Sequence, residues 1–197
     1  MSERSTTTHR RHTIIATRSG DVWRARSFRG KTPTSTVCVA AGELDAVDLV
    51  RAELDEGSAR EVAARGANGF PTSGHFLEAF EIVRCDISQN QLAMLYAHAD
   101  APDQTMTATQ LAAAAGKPGY EFANLQYGKL ARLICEEMDF TPPQRRADGA
   151  PIWTFGLAVG ADDREELSNT DPEMSGEWRW RLRPEVSQAL TQLKDKK

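Results

Sequence analysis

The sequence lacks the features of a membrane, secreted or disulfide-stabilised protein. No run approaches the ~18 consecutive apolar residues that can span a bilayer, and the basic start MSERSTTTHRRH is not followed by the apolar segment of a secretion signal. The three cysteines are odd in number and far apart, and no two are spaced as CxxC. We therefore predict a cytoplasmic protein with reduced cysteines, no structural zinc and no membrane partner.

Signatures of the common enzyme classes are also missing. The chain has no GxSxG, GxxxxGK[ST] or HExxH motif, and no histidine lies at zinc-ligand spacing from a cysteine. We expect His98, at the polar end of a predicted helix, to be exposed. The sequence predicts no catalytic residue, no metal and no cofactor, and it favours a binding protein over an enzyme.

Charge is distributed unevenly along the chain. The 197 residues have a net charge of −4, yet residues 1–31 carry eight Lys or Arg against two acidic residues. The C-terminal end, 176–197, is also basic, and acidic stretches lie between the two ends. A local basic patch can bind nucleic acid even when the total charge is negative. The charge distribution is therefore compatible with either DNA or a protein as the partner.

The N-terminal third predicts a small α+β domain at 12–72, preceded by a disordered basic tail at 1–11. Alternating residues on either side of Ser19-Gly20-Asp21 predict a β-hairpin. Apolar residues at helical spacing predict a helix with one buried stripe, formed by Leu44, Val47, Val50 and Leu54. The expected elements are a hairpin at 12–29, a strand at 36–40, a helix at 44–54 and a connector with a short helical piece at 57–74.

Two capping boxes and a glycine-containing turn predict a helix-turn-helix in the second half of the chain. Ser88 with Gln91, and Thr107 with Gln110, each have the spacing that begins a helix. The turn Gly116-Lys117-Pro118-Gly119 then separates a short helix from a long one. The expected helices are 73–83, 89–100, 108–115 and 120–138.

Two strands and a closing helix are expected after the long helix. The segment 152–159 (IWTFGLAV) predicts one strand, and 176–183 (GEWRWRLR) predicts the other by strict alternation, with Trp178 and Trp180 buried. The polar, acidic stretch 160–175 links these two strands, and the two strands with this linker form a wing. Pro184 begins the last helix. The predicted fold class is thus α+β, with a winged helix-turn-helix domain at 73–197 following the small N-terminal domain.

A resemblance to known proteins adds to this interpretation. The stretch MTATQLAAAAGKPGYEFANLQYGKLARLICEEM, with PIWTFGLAV and GEWRWRLRPEV, resembles a winged helix-turn-helix module of bacterial restriction and mobile-element proteins, some of which carry it beside an HNH nuclease domain. The resemblance covers about residues 86–194 and implies association with DNA. The histidines and metal ligands of an HNH nuclease are missing from this sequence, so the resemblance does not imply nuclease activity.

The long helix is the predicted recognition element. In a helix-turn-helix the N-terminal half of this helix enters the major groove. Asn124 and Gln126 could pair with adenine there, and Lys129 and Arg132 could contact phosphates. Arginines of the wing supply a second basic group. The predicted DNA-binding residues are Lys117, Tyr120, Asn124, Gln126, Lys129, Arg132, Arg145, Arg146, Arg179 and Arg181.

Two functions remain open from the sequence. The first is a protein that binds double-stranded DNA, either a regulator or the recognition component of a restriction, defence or mobile-element system. The second is an inhibitor encoded by a phage or mobile element, whose winged helix contacts a protein partner. The acidic residues of 161–175, which phosphates would repel, favour the second. A homodimer is compatible with both.

Overall fold

The computed structural model describes residues 3–66, 68–161 and 178–195. The chain divides into two compact units, Met1–Ala64 and Arg65–Lys197. Within the described residues there are six α-helices and two antiparallel sheets, one in each unit. The predicted α+β class is confirmed.

The first unit is a five-stranded antiparallel sheet with a helix packed on one face. Its elements are β1 (Arg4–His9), β2 (His12–Ser19), β3 (Val22–Arg29), β4 (Thr32–Pro33), β5 (Cys38–Ala40) and α1 (Glu43–Ala63). The sheet order is β1–β2–β3, and β4 and β5 both pair with β3. Ile14, Ala16 and Ala25 from the sheet pack with α1 residues to form the core. The predicted hairpin of β2 and β3 is confirmed.

The predicted disordered tail is wrong for residues 4–9, which form β1. All six residues pair with β2, from Arg4 opposite Thr17 to His9 opposite His12. Three consecutive threonines suit a strand because β-branched side chains fit the pleated backbone. Composition alone predicted disorder, whereas the available edge of β2 provides the hydrogen-bond partners.

The helix of the first unit is longer than predicted, and the first residue of its predicted buried stripe is exposed. α1 has 21 residues and continues through the first part of the predicted connector. Leu44, predicted to be buried, is 72% exposed. The buried stripe includes Val47 and Val50. Leu44 precedes Val50 by six residues, so at roughly 100° per residue it is turned by roughly 120° from that stripe.

The second unit contains five helices and a three-stranded sheet within its described residues. Its elements are α2 (Ser73–Val83), α3 (Gln89–Asp100), β6 (Thr105–Thr107), α4 (Ala108–Ala114), α5 (Tyr120–Glu137), β7 (Ala158–Gly160), β8 (Arg179–Leu182) and α6 (Pro184–Asp195). The sheet order is β6–β8–β7, and both pairings are antiparallel. Both predicted capping boxes are present, at Ser88 and at Thr107.

The boundary between the units lies at residue 64 rather than at the predicted residue 72. Arg65 donates from Nη2 to the backbone carbonyls of Met138 and Asp139, at 3.0 Å each. Phe70 is buried in the core of the second unit, with its ring centroid 4.9 Å from that of Phe140. The stretch 65–72 therefore belongs to the second unit because its side chains pack there.

The predicted strand at 152–159 is wrong for most of its length. Residues Trp153–Gly156 form a short 3₁₀ helix against α5, and only Ala158–Gly160 pairs with β8. The third strand of this sheet is β6, which the sequence does not predict; its three residues end at Thr107, the N-cap of α4. An apolar run of this length predicts burial correctly, but periodicity alone does not distinguish a buried strand from another compact element.

We expect Gly156→Ala to destabilise the second unit by about 1–3 kcal/mol, the usual cost of overpacking a core. A Cβ at residue 156 would lie 2.2 Å from Cys135 Sγ, and both residues are buried. Urea denaturation of the full chain measures the loss. In the double variant Gly156→Ala with Cys135→Ala the clashing sulfur is gone, so part of the stability should return. Strictly additive losses would contradict this close contact.

His98 is fully buried, which corrects the prediction that it is exposed. Its Nε2 donates to the Trp180 carbonyl at 2.9 Å, and the Tyr127 hydroxyl donates to Nδ1 at 2.7 Å. The carbonyl can only accept, so Nε2 carries the proton. Burial lowers the pKa of His98 to about 4 and raises that of Tyr127. The ring thus links α3, α5 and β8 in its neutral form.

Candidate nucleic-acid interface

A tight turn positions the N-terminal end of α5. α4 ends in a Schellman motif, in which the amide of Gly116 donates to the carbonyl of Ala113 and the amide of Lys117 donates to that of Ala112. Gly116 has φ +66°, a conformation that suits glycine. The Lys117 side chain is exposed in this turn. The chain therefore reverses within residues 115–119, as the sequence predicted, and presents the first turns of α5.

The exposed side of α5 carries four features relevant to binding. Asn124 and Lys129 are exposed, and neither side chain has a hydrogen-bond or ion-pair partner in the described part of the chain. Leu125 lies between them and is 56% exposed. The carboxylate of Glu121 is turned back over Gly119, where Oε2 lies 2.8 Å from the position of an added Cβ. This placement brings it to the helix N-terminus, where negative charge is favourable.

Two predicted contact residues on α5 are half-buried rather than exposed. Tyr120 is half-buried and packs against the core of the second unit. Gln126 is also half-buried and is turned by roughly 200° from Asn124 along the helix. Its backbone carbonyl accepts a hydrogen bond from Gln91 Nε2 at 3.2 Å. This region of α5 therefore attaches to α3 in the structure.

Two of the predicted phosphate-binding arginines already have intramolecular partners. Arg132 is exposed, but its Nε lies 2.6 Å from Glu136 Oε1 and its Cζ lies 5.8 Å from the centroid of the Trp153 ring. Arg145 donates from Nη1 to the carbonyls of Pro142 and Gln144. A phosphate would have to compete with these partners for both side chains.

Arg146 is the available cation of the loop that follows α5. The amide of Arg146 donates to the carbonyl of Ala150, and Arg145 forms a β-bridge with Pro151. Within the described residues no side-chain partner binds Arg146, which is exposed. The loop leads into the 3₁₀ helix that packs on α5. The Arg146 side chain is therefore available to a phosphate.

Arg179 and Arg181 belong to a separate surface on the second sheet. They lie opposite Thr107 and Thr105 of β6, while Trp178 and Trp180 on the alternate positions are buried. The two arginines line a shallow polar depression of about 700 Å³ together with Asp103. None of the described residues that line this depression comes from α5. The depression therefore brings Arg179 and Arg181 together but includes none of the other eight predicted residues.

Leu125 is the residue of the α5 surface that sequence reasoning missed. It follows Glu121 by four residues and precedes Lys129 by four, so it lies on a polar stripe of the helix. An apolar residue on an otherwise polar stripe is the feature of the sequence that could have identified Leu125. The alternation of residues 176–183 places Arg183 on the face opposite Trp178 and Trp180, yet Arg183 is buried as well. It donates from Nε to the Phe155 carbonyl at 2.8 Å and lies over the Phe70 ring.

In the described residues, no group of three or more His, Cys, Asp or Glu side chains is arranged to hold a metal ion. Among the described helices, none has the length and apolar character needed to cross a membrane. Comparison of the chain with protein-family models, with curated proteins and with solved structures found no match.

Proposed function

We propose that the second unit is a winged helix-turn-helix that binds double-stranded DNA with α5 in the major groove. The observation that carries the proposal is the capped α4, the reversal at residues 115–119 and the exposed N-terminal half of α5. The element order α3, β6, α4, α5, β7 and β8, with the sheet order β6–β8–β7, supports it as well. A helix presented in this way fits the major groove.

The chemistry of the exposed side of α5 supports DNA as the ligand. The side-chain amide of Asn124 has its oxygen and its NH₂ group available for an adenine edge, and Leu125 can contact a thymine methyl group. Lys117 and Lys129 are exposed at either end of this stretch and can contact phosphates. The resemblance to bacterial restriction and mobile-element modules makes a regulator, or the recognition component of such a system, the role that we propose.

A second candidate function is protein binding by the same side of α5. Leu125 favours it, because a leucine with 56% of its surface exposed beside free polar groups is also suited to a protein contact. The inhibitor of a phage or mobile element is a function of this kind. The two candidates differ in salt dependence, since only phosphate contacts release condensed counterions.

We expect the full chain to bind labelled duplex DNA with a log–log salt slope near −4 for roughly five phosphate contacts, measured between about 50 and 200 mM salt. Lys129→Ala should weaken binding to all duplexes and reduce the slope by about one. Asn124→Ala should cost about 1–3 kcal/mol on the preferred sequence, found by selection from a random pool, and little on random duplex.

Arg84→Ala is the matched control, because Arg84 is an exposed cation at the end of α2. It should leave the affinity and the slope nearly unchanged. If Lys129→Ala and Asn124→Ala both bind duplex DNA like the parent chain, α5 is not in the groove. The protein-binding candidate then replaces the DNA-binding one.

A further inference from the structure

The face of the first sheet that α1 leaves uncovered has a distinct pattern of side chains. Directly opposed residues of an antiparallel pair lie on the same face, so the register identifies its members. One row crosses four strands from Arg4 through Thr17 and Arg24 to Val39. We call this surface the open face. Its residues include Arg4, Thr6, Thr8, Thr13, Ile15, Thr17, Arg24, Arg26, Phe28 and Val39.

The open face is basic and has no carboxylate among these ten residues. All ten side chains are exposed or half-buried. Arg4 and Arg24 are exposed, and no hydrogen bond or ion pair joins either side chain to another residue in the described ranges. Arg26 donates from Nε to the Ser35 carbonyl at 2.9 Å, so its guanidinium is held at the surface. The three arginines thus form a cationic group in which Arg26 is held in place and Arg4 and Arg24 are available to a ligand.

The negative charge of the first unit lies in its other layer. α1 contains seven Asp or Glu residues against two arginines. The five strands contain five arginines and no acidic residue. α1 is about 10–12 Å across, so the carboxylates on its outer surface lie beyond the Debye length of ~8–10 Å. Salt therefore screens the open face from most of the acidic charge of α1.

We propose that the open face is a second contact surface for duplex DNA, which binds the phosphate backbone through Arg4, Arg24 and Arg26. Arg4 and Arg24 are two strands apart, a separation of about 10 Å. Arg24 and Arg26 are two residues apart on one strand, about 7 Å. Three guanidinium groups at these spacings can contact separate phosphates, and the flanking threonine hydroxyls can donate to the same oxygens.

The chemistry of the open face favours a duplex over other partners. Proteins that bind single strands stack successive bases on several aromatic rings, and the open face has one ring, Phe28, which is half-buried. Duplex DNA presents one negative charge for about every 1.7 Å of helix axis, which complements a surface of arginines without carboxylates. This inference goes beyond the function proposed for α5, although both name duplex DNA as the ligand.

The test is the double variant Arg4→Ala with Arg24→Ala in the full chain, titrated with labelled duplex of random sequence. We expect the Kd near 50 mM salt to rise roughly 10–100-fold and the salt slope to fall by about 2, as for the loss of two phosphate contacts. The matched control is Arg51→Ala with Arg60→Ala, which removes two charges from α1. Circular dichroism and the urea midpoint of each variant verify that the fold is retained.

A second pair of variants adds charge instead of removing it. Val39 on the open face is 49% exposed and Leu44 on α1 is 72% exposed, so Val39→Glu should weaken duplex binding and Leu44→Glu should not.

The proposal is overturned if the arginine variant binds like the parent chain, if the α1 control loses as much affinity, or if binding of the single strand of the same sequence falls more than binding of the duplex. Loss of binding in the arginine variant but not in Lys129→Ala would support the open face and contradict the role of α5. The reverse result would overturn the open face alone.

Discussion

Trp180→Ala should lower the free energy of unfolding of the second unit by about 3–5 kcal/mol, the range found for deletion of large buried aromatic side chains. Trp180 is buried, and its ring centroid lies 5.4 Å from that of Phe155 and 5.8 Å from that of Trp178. The deletion therefore removes packing from β8 and from the 3₁₀ helix at the same point. Urea denaturation followed by circular dichroism measures the change.

Trp153→Ala is the matched control for this experiment. Trp153 lies in the same 3₁₀ helix but is only half-buried, so its removal should cost less than that of Trp180 because less area returns to water. A loss below about 1 kcal/mol for Trp180→Ala would contradict the burial of this ring, since core aromatic deletions cost several times more.

Acidification from pH 7 to pH 4 should reduce the stability of the second unit by about 3 kcal/mol through His98 alone. Burial lowers the pKa of His98 to about 4 in the folded chain, whereas it is ~6.5 when the chain is unfolded. Between these values the unfolded state binds a proton that the folded state does not. The contribution of His98 is therefore complete above pH 6.5 or so and is lost as the pH falls towards 4.

His98→Gln isolates this contribution, because a glutamine amide has both a donor and an acceptor but does not titrate. We expect the difference in unfolding free energy between the parent chain and the variant to shrink steadily from pH 7 to pH 4. The pKa of His12 in the first unit is also lowered by burial, but His12 is present in both proteins and cancels in the difference. Parallel pH profiles for the two chains would contradict the buried neutral histidine.

The helices of the second unit show how much local sequence can predict. The predicted bounds of α2 and α3 agree with the structure at both ends, and those of α4 and α5 differ by one residue at one end. Capping boxes and glycine turns act over three or four residues, so the information lies entirely within the segment. The alternation that predicted buried Trp178 and Trp180 is local in the same sense.

The candidate binding surfaces were predicted less completely. Asn124 and Lys129 are exposed as expected, because helical periodicity specifies which residues share a side. The partners of Arg132 and Arg145, the position of Gln126 beside α3 and the separation of Arg179 and Arg181 from α5 depend on neighbours in other elements. No pattern within one segment contains that information.

The sequence by itself determined the α+β class, the two-part organisation, the ends of α2 to α5 to within one residue and the turn before α5. Capping boxes, turns and periodicity act between residues that are close in the chain. Tertiary structure decided what depends on distant partners. β1 and β6 are strands because β2 and β8 offer them backbone hydrogen bonds. His98 is neutral because the fold buries its ring beside Tyr127 and the Trp180 carbonyl, and this burial lowers its pKa. The open face exists because strand pairing aligns arginines that are separated in the sequence, while α1 covers the opposite side of the sheet.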